Sequence, residues 1–307
     1  MPSLIKKIIM CSFAILWTFV AAEAYLRLFA PVGMLPRFIE EGEHGIRRNI
    51  PGERYVHSSA EYRVDFSINE QGLRIVIVKQ MPSPWGIAAK AMMEFKELKF
   101  VVAHQVPMGE NRELLEWAGV NSGPVVAWND QPPLNRWNDI LFLLERLEPQ
   151  RPLIPEAPAD RVLTLGLSHE ICGELGFGWN RRLDFMRPRD GAAVSALGKK
   201  YGYRVSDAEM ADVRVIAFMR HLAGIMVSQR EHGSRFLVGD AITAADFYWA
   251  AFSNLVSIQP HSQCPMSAEA RPIFENTPEE ITSAIDPILI DHRDFIMHEY
   301  FKLPLEL

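Results

Sequence analysis

Ser83 and Pro84 stand where an apolar run stops and a helical pattern starts, in "SPWGIAAKAMMEF" at residues 83–95. Ile87, Ala91 and Phe95 recur there at helical spacing. Pro84 suits the first helical position, where no amide partner is lost. A serine just before it has two uses. Its oxygen can accept a hydrogen bond from a first-turn amide and so cap the helix. A helix start also carries about half a unit of positive charge and free amides, so a hydroxyl placed there can hold an anion, a thiolate included.

The other reactive residues form no competing constellation. The three cysteines, Cys11, Cys172 and Cys264, have no CxxC spacing and are too few for a disulfide framework. Cys172 reads as a small buried residue. His169, Glu170, Cys172 and Glu174 come nearest to a ligand cluster but lack a second pair at zinc spacing, so no metal is expected. A serine hydrolase would need its nucleophile, base and orienter. The Gly239-Asp240 pair is followed by Ala241, and "DHRD" at residues 291–294 has the wrong spacing. A net charge of −6 leaves no basic footprint for nucleic acid.

The elements that must position Ser83 follow from the patterning. Residues 75–80 and 99–106 read as strands, 111–119 as a short helix with a glycine stop, and 123–129 as a strand entered through Pro124. A turn and short edge at 130–134 leads into a helix at 135–147. This order is that of a thioredoxin-like fold, placed at residues 75–147. Four prolines within residues 148–158 exclude a helix and mark a linker. Beyond it, in the all-α domain at 159–307, helices are predicted at 159–186, 206–230, 243–257 and 278–301.

The start of the chain is of another kind. Residues 8–22 carry no charge and follow Lys6 and Lys7. Fifteen helical residues span only about 22 Å, short of the ~30 Å hydrocarbon core, so a crossing needs the apolar residues beyond Glu23. An uncleaved membrane anchor over residues 1–30, a cleaved signal peptide and a buried core helix all fit. Residues 31–74 read as an irregular linker with one strand, on which Tyr62, Val64, Phe66 and Ile68 share a face.

Two resemblances emerge. "SPWG" at residues 83–86, Gly123-Pro124 and "FLVGDAITAADFYWA" at 236–250 together resemble the soluble glutathione transferase superfamily, over residues 75–307. The membrane-proximal order ending in "FSINEQGLR" resembles the start of bacterial SGNH/GDSL-type hydrolase proteins, without the hydrolase itself. The first resemblance implies a thioredoxin-like α/β domain followed by an all-α domain, with the Gly123-Pro124 bond cis. It implies glutathione as cosubstrate, its thiolate held by Ser83, its backbone paired like an added strand at Gly123 and Pro124, and Trp85 beside it. Arg136 and Trp137 take the positions where the family holds the γ-glutamyl group; arginine can grip a carboxylate, whereas tryptophan brings one donor and bulk. Thr243 and Asp246 match the family's capping box. The implied partners are a small electrophile, a second copy of the chain and, through residues 4–30, a membrane. Reduced glutathione and the absence of a disulfide framework place the transferase-like domain in the cytoplasm. A non-catalytic ligand-binding or interaction module on the same fold is the alternative.

Overall fold

A computed structural model of the chain describes residues 72–188 and 192–307 in full, preceded by the backbone of four short strands. The chain divides into two compact units, Met1–Gln71 and Gly72–Leu307. In the first, β1 (Ile39–Glu41) pairs antiparallel with β2 (Arg47–Asn49), and β3 (Arg54–Ser58) with β4 (Arg63–Ser67). The patterning had one strand in this stretch. The apolar run at residues 4–30 lies outside the described residues. Among the described residues, no helix is long and apolar enough to cross a membrane.

The second unit begins with β5 (Leu73–Val78), which buries Leu73, Ile75 and Ile77 on one face and Val78 on the other. It runs parallel to β6 (Phe100–Gln105) and antiparallel to β7 (Val125–Trp128), giving the order β6-β5-β7. The expected fourth edge shrinks to one antiparallel bridge between Val126 and Leu134. Between the strands come α1 (Pro84–Phe95) and α2 (Arg112–Ala118), and α3 (Trp137–Leu147) follows. A Cβ at Gly86 would lie 3.2 Å from the Ile77 side chain, so glycine lets α1 settle directly on β5.

The helical part departs from its patterning at three of the four long helices, the one at 243–257 being kept. The span 159–186 is broken into α4 (Pro158–Cys172) and α5 (Phe177–Phe185). Between them Gly173 is extended and Leu175 takes φ 60°, a turn that the glycine-rich "CGELGFG" permits and an apolar count does not register. Residues 192–231 hold α6 (Ala196–Lys200), α7 (Val205–Glu209) and α8 (Ala211–Glu231). Then come α9 (Ala244–Phe252), α10 (Arg271–Glu275), α11 (Glu279–Ser283) and α12 (Pro287–Tyr300), so 278–301 is likewise interrupted. Every residue of α9 is buried, which makes it the axis of the helical core.

Lys96 fastens the two parts of this unit together. Its buried ammonium donates to the carbonyls of Glu148 (2.8 Å) and Arg151 (2.6 Å) and pairs with Glu145 at 2.7 Å. Arg151 returns a bond to the Phe95 carbonyl at 2.6 Å, and Glu145 also accepts the Leu153 amide at 3.0 Å. The proline-rich linker is therefore stitched to the ends of α1 and α3. That fixes how α4 and α9 meet the start of α1.

Candidate functional site

The site is built around the start of α1. Ser83 is half-buried in an extended conformation; its carbonyl accepts the Ile87 amide at 3.0 Å and its own amide donates to the Met81 carbonyl at 2.8 Å. The expected side-chain cap is not made. Pro84 occupies the first helical position, where its missing amide costs no bond, and the first-turn amides behind it receive nothing from the Ser83 side chain. The Ser83 hydroxyl is thus uncommitted among the described residues. No acidic residue occupies the first turn, so the positive end of the helix is uncompensated.

Trp85 turns towards the helical part. Its indole donates to the Cys172 carbonyl at 3.0 Å and meets Phe252 edge-on at 4.6 Å. Its face receives the Arg182 guanidinium at 4.4 Å, which also lies 4.4 Å from the Tyr201 ring and 5.6 Å from that of Trp179. Arg182 is held by these rings and has no carboxylate or carbonyl partner among the described residues. Burial lowers its affinity for the proton, and Tyr201 opposes that shift. Trp85 therefore serves first as a joint between the two parts, with a cation beside it.

The Gly123-Pro124 bond is cis. A Cβ at Gly123 would come within 2.6 Å of the Val76 carbonyl oxygen, so the close approach of this loop to β5 demands glycine. The Gly123 amide, expected to face a ligand, donates instead to Gln105 Oε1 at 2.8 Å. Gln105 is buried at the end of β6. An alternating strand pattern gave it no distinction, and only its polar side chain at a strand terminus could have drawn notice.

Arg136 and Trp137 separate. Arg136 is the exposed N-cap of α3, extended, with a free guanidinium among the described residues. Trp137 packs inward, edge-on to Tyr248 at 5.6 Å and tilted against His169 at 6.1 Å, and its carbonyl accepts the Tyr248 hydroxyl at 3.4 Å. The ring expected to contact a ligand is engaged with α4 and α9. Burial pushes the Cys172 thiol well up and, with Cys172 beside it, the Tyr248 hydroxyl too, so neither is an anion at neutral pH. Cys264 is likewise pushed up to about 11 by burial. Arg181 is fully buried: Nε donates to the Leu255 carbonyl at 2.8 Å, and the guanidinium pairs with Asp184 and covers Phe185.

Thr243 and Asp246 stand at the start of α9. Asp246 Oδ2 accepts the Thr243 amide and hydroxyl, both at 2.8 Å, while Oδ1 accepts the Leu237 amide at 2.8 Å and meets His292 Nε2 at 2.9 Å. This carboxylate is structural, and His292 was not foreseen as its partner. No group of His, Cys, Asp or Glu able to hold a metal occurs among the described residues.

No family model matches the chain, and no curated protein does. Solved structures share the fold. A glutathione S-transferase of Methylobacterium radiotolerans, in complex with glutathione sulfonate, has 16% identity and a TM-score of 0.51 over 75% of this chain and 92% of its own. One from Methylobacillus flagellatus with GSH bound has 13% identity and a TM-score of 0.53, over 76% and 100%. The nitrogen regulation fragment of the yeast prion protein Ure2p has 15% identity and a TM-score of 0.52, over 75% and 93%. The chain thus has the glutathione-transferase-like fold, a thioredoxin-like sheet followed by a helical part.

Proposed function

We propose that the second unit binds glutathione and transfers its thiol to a small electrophile. The observation that carries this reading is the uncommitted Ser83 hydroxyl at an uncompensated helix start, on a fold otherwise found with glutathione or its analogue bound. Ser83 would donate to the sulfur and favour the thiolate; the thiolate lone pair then forms the new C–S bond as the acceptor's leaving group departs with its electrons. Arg136, exposed at the start of α3, is the group suited to a glutathione carboxylate. Arg182, caged beside Trp85, favours acceptors that carry a negative charge. A conjugation assay with a neutral and a carboxylated aryl halide tests this: turnover with preference for the acid, lowered about tenfold in Ser83→Ala, is expected. No turnover with either refutes the enzymatic reading.

The second reading, a non-catalytic ligand-binding or interaction module, is favoured by two engaged groups. The Gly123 amide is taken by Gln105, and the Trp137 ring is packed against Tyr248 and His169. A regulatory fragment on the same fold is its precedent. We place the unit in the cytoplasm, tethered by residues 4–30, and working as a homodimer. Exposed Val162 and Leu163 on α4 and Val213 and Val227 on α8 suit a subunit contact. Fractionation of cells and light scattering of the purified chain test these two points.

A further inference from the structure

β6 is an outer strand of the three-stranded sheet, with β5 on one side only. Every second residue of such a strand turns its amide and carbonyl away from the sheet. Outside β5, no group among the described residues hydrogen-bonds to the backbone of Phe100–His104. The thiol-transfer reading makes no use of this edge, and the inference does not rest on that reading.

Proteins keep an edge of this kind from pairing by a proline, a bulge, a charge on the strand or a very short strand. β6 has none of these. Its register with β5 runs unbroken over six residue pairs, from Leu73 and Phe100 to Val78 and Gln105. Its sequence, FVVAHQ, holds no proline, lysine, arginine or carboxylate. Phe100 and Val102 turn to the core, so Val101 and Ala103 point to the opposite face, where both are exposed, Val101 at 48%.

The strand is its own complement. Antiparallel pairing about a two-fold axis through Val102 sets Val101 of one copy opposite Ala103 of the other, and Phe100 opposite His104. Opposite residues share a face, so the exposed apolar side chains of the two copies cover one another. An axis through Ala103 would set Val101 against Gln105 instead, which is already buried and bonded to the Gly123 amide. With the axis at Val102, Lys99 of each copy falls opposite Gln105 of the other. The two Lys99 residues then stand about 20 Å apart, at ~3.3 Å per residue, so no like charges meet across the seam. A foreign extended peptide is selected by side-chain pockets along an edge. β6 offers an uncharged row, and its own sequence supplies the match.

We infer that two copies of the chain associate through β6, antiparallel, with Val101 of each against Ala103 of the other. One strand pair is a small seam beside the roughly 800 Å² per partner of a stable interface, so the association is reversible and depends on concentration. It is distinct from a contact through α4 and α8, and two different two-fold contacts on one chain build assemblies larger than a dimer. Sedimentation velocity of the full chain over about a hundredfold range of concentration reads it. A reversible step is expected, kept in Val101→Thr and weakened about tenfold or more in Val101→Lys, which sets two lysines about 7 to 8 Å apart on one face of the seam. Val101 is exposed, so both variants fold as the parent does. The register is read by mixing a Val101→Cys chain with an Ala103→Cys chain under mild oxidation. Opposite Cα atoms, about 4.5 to 5.5 Å apart, lie within disulfide reach, whereas the diagonal pairs formed by either variant alone do not. The mixture should therefore crosslink and neither chain alone should. No concentration-dependent step, a step unchanged in Val101→Lys or lost equally in Val101→Thr, or crosslinking of the single variants equal to that of the mixture overturns the inference.

Discussion

Replacing Asp246 tests the structural centre of the helical part. In Asp246→Ala the Leu237 amide, the Thr243 amide and hydroxyl, and His292 Nε2 lose their acceptor together. All four are buried, and each orphaned donor costs about 1 kcal/mol or more, so the variant should lose about 4 kcal/mol. For a unit of this size that lowers the melting temperature by roughly 8 to 16 °C. Asp246→Asn separates the contributions. Its amide oxygen can still serve Thr243, and His292 can exchange tautomers to accept from the new NH₂, leaving the Leu237 amide alone without an acceptor. That variant should lose only about 1 to 3 kcal/mol. Thermal unfolding followed by circular dichroism gives both numbers. If the alanine variant melts with the parent, or the asparagine variant melts below the alanine one, the four-donor account of this carboxylate is wrong.

Other perturbations read different parts of the chain. Ser83→Ala should leave the melting temperature unchanged, because the side chain makes no cap bond, while lowering conjugation by about tenfold, the cost of one hydrogen bond to an anion. Lys96→Met removes the ammonium that holds Glu145 and two linker carbonyls, and should cost about 3 kcal/mol in denaturant unfolding. Cys172 and Cys264, both buried with raised thiol pKa, should react with a thiol reagent only as fast as the unit opens, and labelling in native buffer as fast as in denaturant would contradict that. Glu306 has its carboxyl pKa lowered by the hydrogen bond and charge of the Lys90 ammonium; a lowered folded pKa means that the contact stabilises fully above the ordinary carboxylate pKa and is lost as pH falls from there through the lowered folded value. The protection of residues 301–307 against hydrogen exchange, taken relative to the intrinsic rate at each pH, should therefore fall on acidification, and less so in Glu306→Gln.

The strand and helix order around Ser83 was legible because each element there is bounded by a local signal: proline at 84 and 124, glycine at 119, four prolines at 148–158. The helical part was legible only as helical. Its breaks at residues 173–176 and 284–286 depend on backbone set by two glycines, Gly173 and Gly176, and by an aspartate before a proline, signals that an apolar count passes over. Side-chain allegiance was the least legible feature. Trp137 and Arg136 are neighbours in sequence, yet one faces α9 and the other solvent. Gln105, Lys96 and His292 act on partners 18, 52 and 46 residues away, separations that no local pattern reports.

The central claim, that the start of α1 is a thiolate site, is tested most directly by titrating the full chain with glutathione in a calorimeter while recording the ultraviolet absorbance of the bound thiolate. The account predicts saturable binding in the parent and in Ser83→Ala, with thiolate absorbance at neutral pH in the parent alone. No heat at millimolar glutathione, or equal thiolate absorbance in both proteins, would contradict it.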